Sequence, residues 1–344
     1  MLQKSAKSTG CLVRIGQIAV SILVLVVLGL FAGASYQQSA AARDREAYIS
    51  SDNLVTVDGI EMYIRCEGTG SPTVVFESGA GTPYLNWWEI QEAISQDVRT
   101  CVYDRRNIGW SAYTGETPNA VAQTLHTLLE NAGESAPYFL VGHSLGGVYV
   151  RQYAATYLDD VVGMVLIDSS HEQQQVRLPQ AYTTWAAGAQ EPTLNVCRIL
   201  APTGILRILN MGAQSTQFAE DTPVYEEEIA IFNQSHFCEG VRADLAGIES
   251  LNAPNAPTSL GDVPLVVLTA DAKQADNPDA FPAEFSLEML QQADRVWLEL
   301  QEELAGLSTN SDWIVVEDAT HYIHLDQPQV VIDSIRDILT QVIN

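Results

Sequence analysis

Ser144 sits in Tyr138-Phe139-Leu140-Val141-Gly142-His143-Ser144-Leu145-Gly146-Gly147, where a hydrophobic strand passes straight into Gly-x-Ser-x-Gly and then into a helix. A serine hydroxyl is a weak nucleophile unless a base beside it takes its proton, and a sharp strand-to-helix turn thrusts Ser144 Oγ clear of the sheet. Gly142 and Gly146 permit the crowded backbone of such a turn. The amide of Leu145, at a helix N-terminus, points at the oxyanion that would develop in acyl transfer. A bare Gly-x-Ser-x-Gly occurs by chance in many proteins, but strand before it and helix after it make the signal far more specific. The bland alternative is a glycine-rich turn with an idle serine.

Three other stretches accompany it. Phe76-Glu77-Ser78-Gly79-Ala80-Gly81 and Tyr103-Asp104-Arg105-Arg106-Asn107-Ile108-Gly109-Trp110-Ser111 each leave a strand, and Asp318-Ala319-Thr320-His321-Tyr322-Ile323-His324-Leu325-Asp326-Gln327-Pro328 lies between a strand and a helix. With these motifs the chain resembles the α/β-hydrolase family, over nearly all of residues 51–344 except an inserted cap. The resemblance implies a base at His321, since the family's order along the chain is Ser, acid, His. It implies a second oxyanion amide at Ala80, in a loop where Glu77-Ser78 replaces the family's His-Gly. The Tyr103–Ser111 segment is similar to one that braces the active-site loops, with Asp104 and Arg105 expected as a structural ion pair. For the acid, many relatives use a position about four residues past the strand Pro264–Thr269, which here is Lys273. Asp271 and Asp276 flank that position. Asp168, at the end of the preceding strand, is another acid site of this fold from which a carboxylate reaches His321 Nδ1. Asp168 is the favoured acid, Asp271 and Asp276 stay open, and the alternative for Asp168 is a cap on the turn.

The chemistry so implied is acyl transfer to water through an acyl-Ser144, with no cofactor and no metal. Leu145, Trp87, Trp88 and an apolar cap suggest a hydrophobic ester or lipid as substrate, so an esterase or lipase-like enzyme leads. A proline-type aminopeptidase and a lipid acyltransferase share the fold; His321 to Asp326 matches an HxxxxD pattern of some acyltransferases. Haloalkane dehalogenases and epoxide hydrolases need an aspartate where Ser144 stands. A non-catalytic ligand-binding module is the reading from another class.

These residues need a frame. Short β-branched runs alternate with helical stretches, the pattern of a doubly wound, mostly parallel α/β sheet. Eight strands are expected: Leu54–Val57, Glu61–Cys66, Thr73–Glu77, Thr100–Tyr103, Tyr138–Val141, Val161–Ile167, Pro264–Thr269 and Trp313–Val316. The best helical stretches are Asn86–Ser95, Ala120–Ala132, Leu145–Tyr157, Phe285–Leu304 and Gln329–Val342. Between Glu172 and Leu260 the alternation stops, and apolar residues keep a helical spacing (Cys197, Leu200, Ile205, Leu206, Leu209). A stretch that long is rarely a plain loop, so 173–260 reads as a helical cap on a core of 51–172 and 261–344.

The first 50 residues differ in kind. Lys4, Lys7 and Arg14 are the only charges before residue 43, and Ile18–Ala34 is almost wholly apolar. About 20 residues cross a bilayer core, so 17–35 reads as a transmembrane anchor, with 1–16 cytoplasmic by the positive-inside rule and 36–50 a linker to an extracytoplasmic domain. A signal peptide cut near Ala32-Gly33-Ala34 is the rival. Either way the domain is exported, which suits disulfides between Cys66 and Cys101 and between Cys197 and Cys238. The remaining 302 residues hold 14 Lys+Arg against 43 Asp+Glu, a formal charge of −29. Such a surface repels phosphate backbones, which excludes nucleic acid as a partner; composition is silent on oligomeric state.

Overall fold

The computed structural model describes residues 3–116, 120–249, 257–271 and 273–343, without the side chains of 3–12 and 248–249. Lys4, Lys7 and Cys11 are therefore outside the described side chains, and 250–256 of the expected cap lie outside the described residues. The strands are β1 (Leu54–Val57), β2 (Ile60–Glu67), β3 (Thr73–Glu77), β4 (Thr100–Tyr103), β5 (Tyr138–His143), β6 (Val161–Ile167), β7 (Leu265–Ala270) and β8 (Ser311–Val316). They form one sheet in the order β1-β2-β4-β3-β5-β6-β7-β8. β1/β2 and β2/β4 pair antiparallel, and every later pair is parallel. This is the expected α/β architecture, with β5 running two residues further than its apolar run suggested, to His143.

The central strands β3, β4, β5 and β7 are buried at every position. A strand covered on both faces reads as a continuous apolar run, which is why these strands are legible in the sequence. Removing Phe139, Leu140 and Val141 from water contributes roughly 1.5–3 kcal/mol each. Helices α1 (Gln3–Tyr48), α2 (Trp88–Ile94), α3 (Val121–Asn131) and α4 (Leu145–Thr156) precede the inserted region. That region carries α5 (Gln174–Arg177), α6 (Gln180–Gly188), α7 (Glu191–Leu200), α8 (Ile205–Ile208), α9 (Met211–Ser215), α10 (Tyr225–Phe232) and α11 (Phe237–Glu249). Helices α12 (Leu287–Ala305), α13 (Ile323–Asp326) and α14 (Pro328–Ile343) complete the chain.

Two compact units result, Met1–Tyr48 with Val196–His236, and Ile49–Asn195 with Phe237–Asn344. Their bounds differ from the expected ones. The cap 173–260 is not one body: Gln174–Asn195 and α11 belong with the sheet, whereas Val196–His236 belongs with the N-terminal helix. Nor is 36–50 a linker, since α1 runs unbroken to Tyr48. Residues 36–48 contain neither Gly nor Pro and are rich in Ala, Arg and Gln, all good helix formers. Gln37, Ala40 and Asp44 lie on one helical face, and Arg207 Nε donates to Gln37 Oε1 at 3.0 Å while Arg207 Nη2 reaches Asp44 Oδ2 at 2.7 Å.

In the sheet unit, Cys66 and Cys101 are directly opposite across β2 and β4 and form a disulfide.

Candidate active site

β5 ends at His143 and α4 begins at Leu145, so a single residue makes the turn between them. That residue, Ser144, has φ 52° and ψ −122°, a region that L-residues rarely occupy. Holding it there costs of order 1–3 kcal/mol, which the surroundings must offset. Three hydrogen bonds do so: the Ser144 amide donates to Ile167 O at 3.1 Å, and its carbonyl accepts from the Gly147 amide at 3.0 Å and the Ser170 amide at 2.9 Å. The glycines are required by space. A Cβ on Gly142 would lie 2.7 Å from Gly147 Cα, and one on Gly146 would strike the Glu77 carbonyl.

His321 Nδ1 and Asp168 Oδ2 are 2.6 Å apart. The other carboxylate oxygen of Asp168 accepts from Trp297 Nε1 at 3.0 Å and from the Ala270 amide at 3.2 Å. Asp168 thus has donors on both oxygens, which fixes its plane. Ser144, Asp168 and His321 all line one cavity of about 660 Å³. Asp271 lines it too, while of the short turn Gln274–Asp276 it is Gln274 and not Asp276 that lines it.

The loop bearing His321 is tied at several points. His143 Nε2 donates to the His321 carbonyl at 2.8 Å, leaving His143 Nδ1 buried without a partner. Burial, with His324 and His321 as neighbours, holds the His143 imidazole well below its usual pKa. Burial and His321 push His324 down to about 3. Both rings are held neutral and pack at a tilt: the ring centroids of His143 and His324 are 4.3 Å apart at 51°, and those of His324 and Trp87 4.7 Å apart at 31°. Asp326, the last member of the HxxxxD pattern, accepts from the Thr320 amide at 2.8 Å and hydroxyl at 2.6 Å, which braces the turn before His321.

The loop after β3 carries Ala80. Among the described residues neither the Ala80 amide nor the Leu145 amide donates to a protein acceptor. Arg105 does not pair with Asp104, as expected from the sequence, but with Glu77 and, from α11, Asp244. Its Nη1 also donates to Ser78 O at 2.6 Å and its Nη2 to Gly79 O at 2.7 Å, so one guanidinium grips three successive residues of the loop. Asp244 Oδ2 then accepts from the Gly81 amide at 2.7 Å. Burial raises the Glu77 carboxyl, opposed by Arg105 and the Tyr103 hydroxyl that donates to it. Burial would also lower Arg105, yet the Asp244 and Glu77 carboxylates outweigh it and keep the guanidinium charged. Asp104 has its own work, accepting from the Tyr84 and Trp110 amides at 2.8 Å each.

The walls of the cavity differ from those expected. Trp87 is fully buried, donating from Nε1 to Ser78 Oγ at 3.0 Å, and Leu145 is buried under α4. Neither lines the cavity, because the residue after Ser144 turns into the helix and the tryptophan fills the core behind the loop. Leu178, Tyr182, Trp297 and Leu298 supply the apolar wall, and Lys273, Asp294 and Glu317 are charged groups on it. Arg151, with no motif to announce it, is fully buried beneath the Asp168 turn, where it donates to Ser169 Oγ at 2.7 Å and Ser170 O at 2.9 Å. Cys66, Cys101 and Glu134 lie within ligand distance of one another, but the disulfide consumes both thiolates a metal would need.

Residues 74–334 match the model of the alpha/beta hydrolase family. The Bacillus subtilis (strain 168) protein YqjL is 25% identical over 291 residues, which span 83% of this chain and 91% of that protein. Among solved structures, a thermophilic esterase from Thermogutta terrifontis is 22% identical with a TM-score of 0.56, covering 84% of this chain and 97% of its own. An alpha/beta hydrolase enzyme from a deep-sea metagenome library of the Medee basin is 15% identical with a TM-score of 0.61, covering 83% and 97%. The match spans β3 to α14, and with it the elbow, the loop after β3 and the His321 turn. The chain is a member of the alpha/beta hydrolase family.

Proposed function

We propose that the protein is a membrane-anchored serine hydrolase that cleaves carboxylic esters of hydrophobic small molecules or lipids through an acyl-Ser144 intermediate. The observation that carries this reading is the His321–Asp168 hydrogen bond of 2.6 Å, opening onto the cavity that Ser144 also lines. With Nδ1 engaged by Asp168, Nε2 of His321 is the nitrogen free to act as base. It takes the Ser144 Oγ proton as Oγ attacks the acyl carbon, and returns it to the leaving alcohol. Water then attacks the acyl-enzyme by the same path in reverse. The Ala80 and Leu145 amides bind the oxyanion, each contributing about 3 kcal/mol to the transition state. Tyr182, Trp297, Leu178 and Leu298 favour an apolar acyl or alcohol group.

The apolar run of α1 supports a membrane anchor, its large side chains being exposed from Val13 to Phe31. The positive-inside rule puts the catalytic unit outside the cytoplasm. Hydrolysis of a p-nitrophenyl ester series by the full-length chain in detergent tests the reading, with Ser144→Ala as control. Turnover that persists in Ser144→Ala, or no turnover together with no labelling by a fluorophosphonate, refutes it. The expected loss on substitution is roughly a millionfold in kcat.

A further inference from the structure

The unit formed by α1 and Val196–His236 has a feature that the esterase reading does not use. Gly33 and Ala34 end the apolar run of α1 and are half-buried, and Gly33 packs on the turn Ala201–Thr203. The approach is close on both sides. A Cβ on Gly33 would strike the Thr203 carbonyl, and one on Gly204, at φ 76°, would come 2.7 Å from Gly33 O. Ala32-Gly33-Ala34, which in the sequence resembles a signal-peptide cut site, is here a helical notch that admits the turn. From there Gln37, Ala40 and Asp44 continue the same face along the helix, Gln37 and Ala40 being buried.

This seam fixes height relative to the apolar run. Twenty residues from Ile15 to Ala34 rise about 30 Å at 1.5 Å per residue, the thickness of a bilayer's hydrocarbon core. The notch therefore lies at the outer edge of that core, and the turn Ala201–Thr203 lies there with it. Within a few residues of the turn, on either side, large apolar side chains face outward: Val196 is 58% exposed, Ile199 66%, Ile208 64% and Leu209 57%. Tyr36, one turn beyond the notch, is 45% exposed, and tyrosine is enriched at the headgroup level of membranes. Four large apolar side chains exposed within fourteen residues mark a candidate interaction site.

We infer that the segment Val196–Leu209 is embedded in the outer leaflet of the bilayer that α1 crosses, with Val196, Ile199, Ile208 and Leu209 reaching the acyl chains. The occupant of this surface is lipid, because the helix packed on the adjoining turn Ala201–Thr203 carries the apolar run that would cross the membrane. The inference rests on the anchor reading of α1, and the experiment separates the two.

Single cysteines are introduced as Val24→Cys, Ile199→Cys, Leu209→Cys and Glu220→Cys in full-length protein carrying Cys11→Ser. They are labelled with an environment-sensitive fluorophore and reconstituted into phosphatidylcholine nanodiscs. Lipids bearing a nitroxide near the top of the acyl chain are expected to quench labels at 199 and 209 roughly twofold, and lipids bearing one at the chain end to quench the label at 24 as much, with the label at 220 unaffected and open to iodide. Quenching at 24 but not at 199 and 209 overturns this inference and leaves the anchor standing. Absence of quenching at 24 overturns the anchor, and the inference with it. Equal quenching at 199, 209 and 220 overturns the local placement.

Discussion

At the residue scale, Asp168 works as part of a set of hydrogen bonds. One oxygen faces His321 and the other is pinned by Trp297 and the Ala270 amide. If Asp168 holds His321 in its Nδ1–H tautomer, Asp168→Asn is expected to lower kcat about 10⁴-fold with little change in KM. Trp297→Phe keeps the ring but removes one hydrogen bond to a charged acceptor, and a roughly tenfold loss of kcat is expected. Steady-state kinetics on one ester reads both; equal losses in the two variants would mean that both had simply collapsed the cavity. The buried His324 carries a second prediction. Its folded pKa is pushed down to about 3, below the ordinary value near 6.5 of an unfolded chain. Between those values the unfolded state binds the extra proton, so stability is fully present above pH 6.5 and falls as pH drops toward 3. The slope is about 1.4 kcal/mol per pH unit per group. Thermal unfolding from pH 7 to pH 5 should show it, and His324→Phe, which keeps a ring against Trp87, should flatten it by one group. An unchanged slope would deny the buried neutral state.

At the element scale, the loop after β3 would be free to move were it not held by a helix far along the chain. Asp244 of α11 pairs with Arg105 and accepts from the Gly81 amide, while Arg105 accounts for Glu77, Ser78 and Gly79. Breaking a buried ion pair at one partner leaves a charge stranded, at a cost of about 3–5 kcal/mol. Asp244→Ala is therefore expected to lower the unfolding midpoint markedly, and Asp244→Asn, which retains an acceptor for Gly81, to lower it less. If the loop positions the oxyanion amide, both variants also lose kcat more than KM. Differential scanning fluorimetry beside ester kinetics checks the pair, and wild-type melting with Asp244→Ala would refute the clamp.

At the scale of the whole molecule, α1, the proposed anchor, is also the framework of the unit it forms with Val196–His236. A chain beginning at Ile49 loses the Gln37 and Asp44 partners of Arg207 and the face on which Val196–His236 packs. A chain beginning at Ser35 keeps them. Limited proteolysis is expected to cut Val196–His236 quickly in the first and slowly in the second; equal protection would show that this segment holds itself together. The sheet unit should survive in both, since its core residues lie within its own two segments.

The elbow at Ser144, the His321 turn and most strand positions were legible in the sequence because they are local. An apolar run, glycines at a fixed spacing and a following helix are set by backbone sterics within ten residues, and strands buried on both faces announce themselves by composition. The apolar run of α1 was legible for the same reason. Its continuation to Tyr48 was not, because polar residues 36–48 have a helix-forming composition that says nothing of whether a partner exists to cover one face. The partners of Arg105 and the donors to Asp168 were also hidden. Asp244 and Trp297 stand on ordinary amphipathic helices, 139 and 129 residues away along the chain. Only close packing of distant segments decides which polar group meets a buried charge. Which of Asp168, Asp271 and Asp276 stands beside His321 was of this kind: three carboxylates within plausible reach by counting, and one whose oxygen lies 2.6 Å from His321 once β6 is set beside β7.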